Sequence, residues 1–169
     1  MTRILGVDPG TVVLGWGVIE TDGYVNHLVE FGVVRTVPKV SLSERLHTIY
    51  RELTEILHRF RPDAIAVEEV FVGKNPRSAL WIGHARAIAL LAAAQQEITV
   101  AEYSPREVKM SVVGNGSASK NQVEYMVSTI LNTCNRIPHD ASDALAVALC
   151  HAAHCANFRI GNEPHDVGV

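Results

Sequence analysis

Four carboxylates occupy positions where an α/β chain has little structural need for charge. Asp8 closes the apolar run Ile4-Leu5-Gly6-Val7, and Glu68 closes Ala64-Ile65-Ala66-Val67. Strand ends are where open α/β sheets build their sites. Asp140 and Asp143 are three residues apart at the start of the last helical segment, a spacing that puts them on one face. Asp143 runs directly into Ala144-Leu145-Ala146-Val147-Ala148-Leu149, which reads as a buried helix, and a charge beside such a run needs a partner. Carboxylates and water are the oxygen donors that Mg²⁺ prefers. A pair of such ions can activate a water and stabilise the leaving oxygen of a phosphodiester, with no covalent nucleophile. Each acid also has a plainer reading. The Asp140/Asp143 pair suits a helix N-terminus, Asp8 precedes the turn pair Pro9-Gly10, and Glu68 can be a solvated strand end. Convergence of the four is a matter for the fold.

The elements that must position them follow from pattern. Arg3 to Asp8, Leu14 to Glu20 and Val25 to Val34 read as strands joined by short turns, hence an antiparallel meander. Leu42, Leu46, Ile49, Tyr50, Leu53, Ile56, Leu57 and Phe60 recur at three- and four-residue steps, predicting one long amphipathic helix. Ser41 or Ser43 is its cap, and Glu55 with Arg59 is an expected i,i+4 pair on the wet side. Ala64 to Glu68 is a short strand. Asn75-Pro76 caps a second helix running to about Gln96. Thr99 to Tyr103 is the fifth strand. Ser104 with Glu107, and Ser119 with Gln122, read as capping boxes separated by the breaker Gly114-Asn115-Gly116-Ser117. The last helix is expected from Pro138 to about Ala156. The order βββαβαβαα predicts a mixed five-stranded sheet, three antiparallel strands then two parallel ones, with helices on both faces. A single domain over residues 1–158 and a polar tail over 159–169 are expected.

Bulk properties constrain function without naming it. The chain has 169 residues, 47% hydrophobic and 20% charged, with a net charge of −3. Phosphate contacts require Lys and Arg, and residues 71–120 hold six of them against three acids, while the remainder holds nine against fifteen. Three cysteines without a paired framework fit a reducing cytoplasm, and no signal segment or membrane span is read. Cys150, His151, His154 and Cys155 form two i,i+4 pairs on adjacent helix faces, a spacing zinc can use, although packed thiols are the expected reading.

Taken together, the motifs resemble a known family. Ile4-Leu5-Gly6-Val7-Asp8-Pro9-Gly10-Thr11 and Gly15-Trp16-Gly17 resemble the opening of RuvC Holliday-junction resolvases. Ala66-Val67-Glu68-Glu69-Val70-Phe71 is similar to their second acidic strand. Lys74-Asn75, Ser78-Ala79-Leu80 and Gly83-His84-Ala85-Arg86 are similar to the helix after it. Val108-Lys109, Val112-Val113-Gly114 and Gly116-Ser117-Ala118-Ser119-Lys120 resemble the basic loop, and Asp140-Ala141-Ser142-Asp143-Ala144 the closing D-x-x-D-A. The resemblance spans residues 4 to about 150. It implies an RNase H-like fold and a homodimer making paired, symmetric nicks across a four-way junction. It implies Asp8, Glu68, Asp140 and Asp143 as catalytic ligands of Mg²⁺, two ions per site once DNA is bound, with Mn²⁺ as a substitute. It implies DNA contacts at Phe71, Lys74, Lys109 and Lys120, and partnership with the RuvA–RuvB branch-migration machinery. The departures are Glu69, a second acid beside Glu68 that strand alternation sends to the other face, His139 beside Asp140, and a tail without a basic cluster. Two other functions fit part of the pattern. Val7-Asp8-Pro9-Gly10-Thr11 is similar to the phosphate loop of actin- and Hsp70-type phosphotransferases. A junction-binding module without catalysis would leave the carboxylates incidental.

Overall fold

The computed structural model describes residues 1–70 and 76–161, apart from the side chains of Pro76 and of 157–161. Its elements are β1 (Thr2–Asp8), β2 (Val13–Thr21), β3 (Asn26–Arg35), α1 (Leu42–Phe60), β4 (Ala64–Glu68), α2 (Pro76–Gln95), β5 (Thr99–Tyr103), α3 (Pro105–Val113), α4 (Lys120–Ile130) and α5 (His139–Gly161). The strands form one sheet in the order β3-β2-β1-β4-β5. The β1–β2 and β2–β3 pairs are antiparallel, and β1–β4 and β4–β5 are parallel. This is the mixed sheet that the pattern predicts, but three helices (α3, α4 and α5) follow β5, one more than the expected order βββαβαβαα contains.

Alternation along the strands divides the interior into two cores. Leu5, Val7, Ile65 and Val67 face α1 and α2. Ile4 and Ala66 face the opposite way, toward α3, α4 and α5. Even-numbered residues of β1 and β4 therefore point at α5, and Asp8 and Glu68 continue that series beyond the last apolar pair.

The sheet lets α5 come unusually close. A Cβ on Gly6 would lie 1.9 Å from the Ala144 carbonyl oxygen, and one on Gly15 would lie 1.9 Å from the Asp140 carbonyl oxygen. Only glycine permits such backbone-to-backbone contact. These contacts fix both the height and the register of α5 over β1 and β2.

Local capping explains where the helices start. Ser41, Ser104 and Ser119 each accept from the third residue of their helix, and Glu44, Glu107 and Gln122 accept from the cap backbone in return. Ser41, not Ser43, is thus the cap of α1. The expected cap Asn75 lies outside the described residues. Two features of α1 differ from expectation. Arg45 is buried with its guanidinium 4.8 Å from the centre of the Trp81 ring, while Leu46 is only half-buried. Arg59 pairs with Glu30 of β3 at 2.7 Å rather than with Glu55, because the neighbouring strand offers a nearer carboxylate. α5 continues to Gly161, past the expected end near Ala156. Among the described residues no helix is long and apolar enough to cross a membrane.

Candidate active site

The parallel register of β1 and β4 pairs Gly6 with Ala66 and Val7 with Val67, so Asp8 and Glu68 come next in line, side by side at the ends of adjacent strands. Both project toward α5, where Asp143 stands one turn inside the helix. The three carboxylates line one cavity of about 230 Å³, together with Lys109 of α3 and Lys120 at the start of α4. Pro105, Val108, Val123 and Ala146 supply its apolar wall.

The electrostatics of this cavity are strained. Burial, then the repulsion of Glu68 and Asp143, pushes the Asp8 carboxyl up to about 8. Burial, then Asp143, also raises Glu68, opposed by a hydrogen bond from Asp8 and by Lys120 and Lys109. Lys120 is the main local compensation. Its Nζ donates to Asp143 Oδ2 at 2.8 Å, and this bond holds the ammonium above its ordinary range.

Such a site fits a hard cation by the chemistry of its donors, which are carboxylate oxygens crowded together and short of positive charge. Among the described residues, no three Asp, Glu, His or Cys side chains are yet arranged around one point as ligands. The Lys120 ammonium stands among the acids instead.

The other expected site residues are placed differently. Asp140 does not line the cavity, although its charge adds the smallest of the carboxylate contributions to Asp8. Glu69 lies beyond the end of β4, exposed, and its backbone N–H donates to the Tyr103 carbonyl at 2.9 Å. His139 faces Glu124 of α4, hydrogen-bonded through Nδ1, outside the cavity. Phe71 and Lys74 lie outside the described residues.

The Cys/His group at the far end of α5 is a packed cluster. Cys150 approaches His154 at 3.7 Å and Cys155 approaches His151 at 3.6 Å, while the Tyr103 hydroxyl and His151 Nδ1 hydrogen-bond at 2.7 Å. Burial pushes the Cys150 thiol up to about 11 and the Tyr103 hydroxyl up to about 12, so both stay protonated.

Comparison with known proteins identifies the family. The family profile for "Crossover junction endodeoxyribonuclease RuvC" matches residues 4–151. A protein of that name from Pelotomaculum thermopropionicum is 52% identical over 152 residues, covering 89% of this chain and 93% of the relative. Among solved structures, T. thermophilus RuvC in complex with a Holliday junction substrate superposes with a TM-score of 0.88 at 37% identity, over 94% of this chain and 97% of that one. The yeast mitochondrial Holliday junction resolvase Ydc2 shares the fold at 13% identity, with a TM-score of 0.63 over 95% of this chain and 86% of the other. With a profile matched along most of its length and a half-identical relative covered nearly end to end, the chain belongs to the crossover junction endodeoxyribonuclease RuvC family.

Proposed function

We propose that this chain resolves four-way DNA junctions by paired, symmetric, Mg²⁺-dependent hydrolysis of phosphodiesters. The observation that carries the reading is the meeting of Asp8, Glu68 and Asp143, from two strands and a helix, around one cavity that two lysines also enter. Family membership supplies the substrate class and excludes the phosphotransferase reading of the Val7–Thr11 turn.

Asp8, Glu68 and Asp143 would hold the ions, with Asp140 at the rim. Divalent cations bound there supply the charge that lowers the pKa of an attacking water and stabilises the leaving oxygen. Lys120 acts as an internal counter-ion until then. Its side chain is 71% exposed, so it can swing out and meet a phosphate oxygen of the strand. Lys109 lies on the Glu68 side and holds the scissile phosphate against the carboxylates.

Two equivalent nicks are most simply made by a two-fold protein. A candidate seam runs along α2, where Leu80, His84, Ala87, Leu91 and Ala94 are exposed at alternating four- and three-residue steps. Leu80 is 66% and Leu91 48% exposed, an apolar stripe suited to a second copy. Work on cytoplasmic DNA beside the RuvA–RuvB complex rests on family membership alone.

The test is cleavage mapping on a mobile four-way junction with Mg²⁺ and with chelator. Symmetric nicks that vanish with chelator are expected. Asp8→Asn should bind the junction without cutting it. Binding by the wild-type protein with no nicks in Mg²⁺ would return the chain to a non-catalytic junction-binding role.

A further inference from the structure

A second, larger depression opens beside the carboxylate cavity. It measures about 690 Å³ and is formed by the start of α3 and the α3–α4 loop, with Arg106, Lys109, Asn115, Gly116 and Ser117 in its wall. Pro105 and Lys109 border both spaces, so the two are adjacent. Among the described residues, no carboxylate lines this groove. The nearest acid in sequence, Glu107, is not in the wall; its carboxylate is tied to Ser104 at the groove's edge, accepting from the Ser104 backbone N–H at 2.8 Å and from its hydroxyl at 2.6 Å, and these bonds hold it below the usual carboxylate range.

Arg106 is exposed and takes part in no ion pair among the described residues, unlike Arg3, Arg51, Arg59 and Arg86. Its side chain lies across the bare backbone of Gly116. A Cβ there would come 2.8 Å from Arg106 Cγ and 3.4 Å from Nε. The loop beneath is fixed by Asn115, whose Oδ1 accepts from the Ser117 backbone N–H at 2.9 Å. The guanidinium is therefore seated on a shaped loop with its charge unanswered, one helical turn from Lys109.

We infer that this groove carries the phosphodiester backbone of the strand being cut as it leaves the carboxylate cavity, with Arg106 as the phosphate contact. A guanidinium fork matches phosphate oxygens in pairs, and a cation-lined channel without acids excludes nothing else about the nucleotide. Arg106 is thus a positioning residue that fixes register without reading sequence. The inference rests on the nuclease reading above and deepens it.

The experiment is junction affinity against salt concentration, in Ca²⁺ to prevent cutting, for wild type, Arg106→Ala, Arg106→Gln and Arg51→Ala. Losing one phosphate contact should flatten the slope of log K against log salt by about 0.9. Between 50 and 200 mM salt, wild type should then lose about 3.5-fold more affinity than either Arg106 variant. Arg106→Gln keeps the stem over Gly116 and guards against a folding artefact. Arg51→Ala removes an equal charge from α1, on the other side of the sheet, and should keep the wild-type slope. An unchanged slope in both Arg106 variants overturns the inference while leaving the nuclease reading intact. Equal flattening in Arg51→Ala also overturns it, because overall charge is then the cause. Failure of the wild-type protein to bind or cut any junction sinks the nuclease reading and this inference together.

Discussion

Replacing Asp8 with asparagine should make the metal-free protein more stable, and the gain should depend on pH. The Asp8 carboxyl stands at about 8 in the fold against an ordinary 3.8, first because it is buried and then because Glu68 and Asp143 repel its charge. A folded pKa above the unfolded one means the fold keeps its full stability only below about 4, then loses it progressively until the pH passes about 8. At ~1.36 kcal/mol per pH unit, the gap of roughly four units sets a ceiling of about 6 kcal/mol. Lys120 and water entering the open side of the cavity reduce it, so about 2–3 kcal/mol is expected at pH 9. For a domain of this length that is roughly 5–10 °C in Tm. The assay is paired thermal melts of wild type and Asp8→Asn in chelator from pH 4.5 to 9, reading the difference so that other titrations cancel. The difference should be small at pH 4.5, grow through neutrality and level off above pH 8. Excess Mg²⁺ should reverse the order, since cation binding stabilises the wild type by mass action. A variant no more stable than wild type at pH 9, or a difference flat across the range, would refute the idea of a carboxylate held under strain for a cation.

Other perturbations probe the rest of the architecture. Glu68→Gln should lower the cleavage rate at least 100-fold, of the order lost with single electrostatic catalytic groups, with junction affinity by gel shift little changed. Gly15→Ala places a methyl group against the Asp140 carbonyl oxygen; it should lower the melting temperature markedly or leave the protein insoluble, and wild-type melting would mean α5 is free to shift. Ser104→Ala removes a cap and should cost about 1 kcal/mol in denaturant unfolding. Leu91→Glu should convert a dimer to monomer in sedimentation if α2 is the seam, and retained dimer would place the two-fold elsewhere.

Much of the fold was legible because its determinants are local. The serine caps, the apolar period of α1 and the two acid-terminated strands are each written within a few residues, and the structure keeps them. Asp8 and Glu68 were readable as strand ends, and a parallel ladder then had to bring them together. What was not legible depends on how elements sit against each other. The spacing of Asp140 and Asp143 puts both on one helix face, but only the contact of α5 with the sheet decides that Asp143 lines the cavity and Asp140 does not. The burial of Arg45 depends on Trp81 of α2, and Arg59 follows Glu30 instead of its own helix. Lys109 is marked in the sequence only through the family resemblance, and it is the packing of α3 beside β4 that brings it into the carboxylate cavity. Arg106 carries no sequence signal beyond its charge, and its seat exists only once the loop folds back over α3.

The contact between α5 and the glycines of β1 and β2 has a consequence for how the chain can vary. Side-chain interfaces creep when their members change size, because neighbours re-choose rotamers. Main chain against main chain has no rotamers to re-choose. Substitutions elsewhere in the interior can therefore accumulate without dragging Asp143 away from Asp8 and Glu68, and the distance on which hydrolysis depends is insulated from drift in the hydrophobic interior.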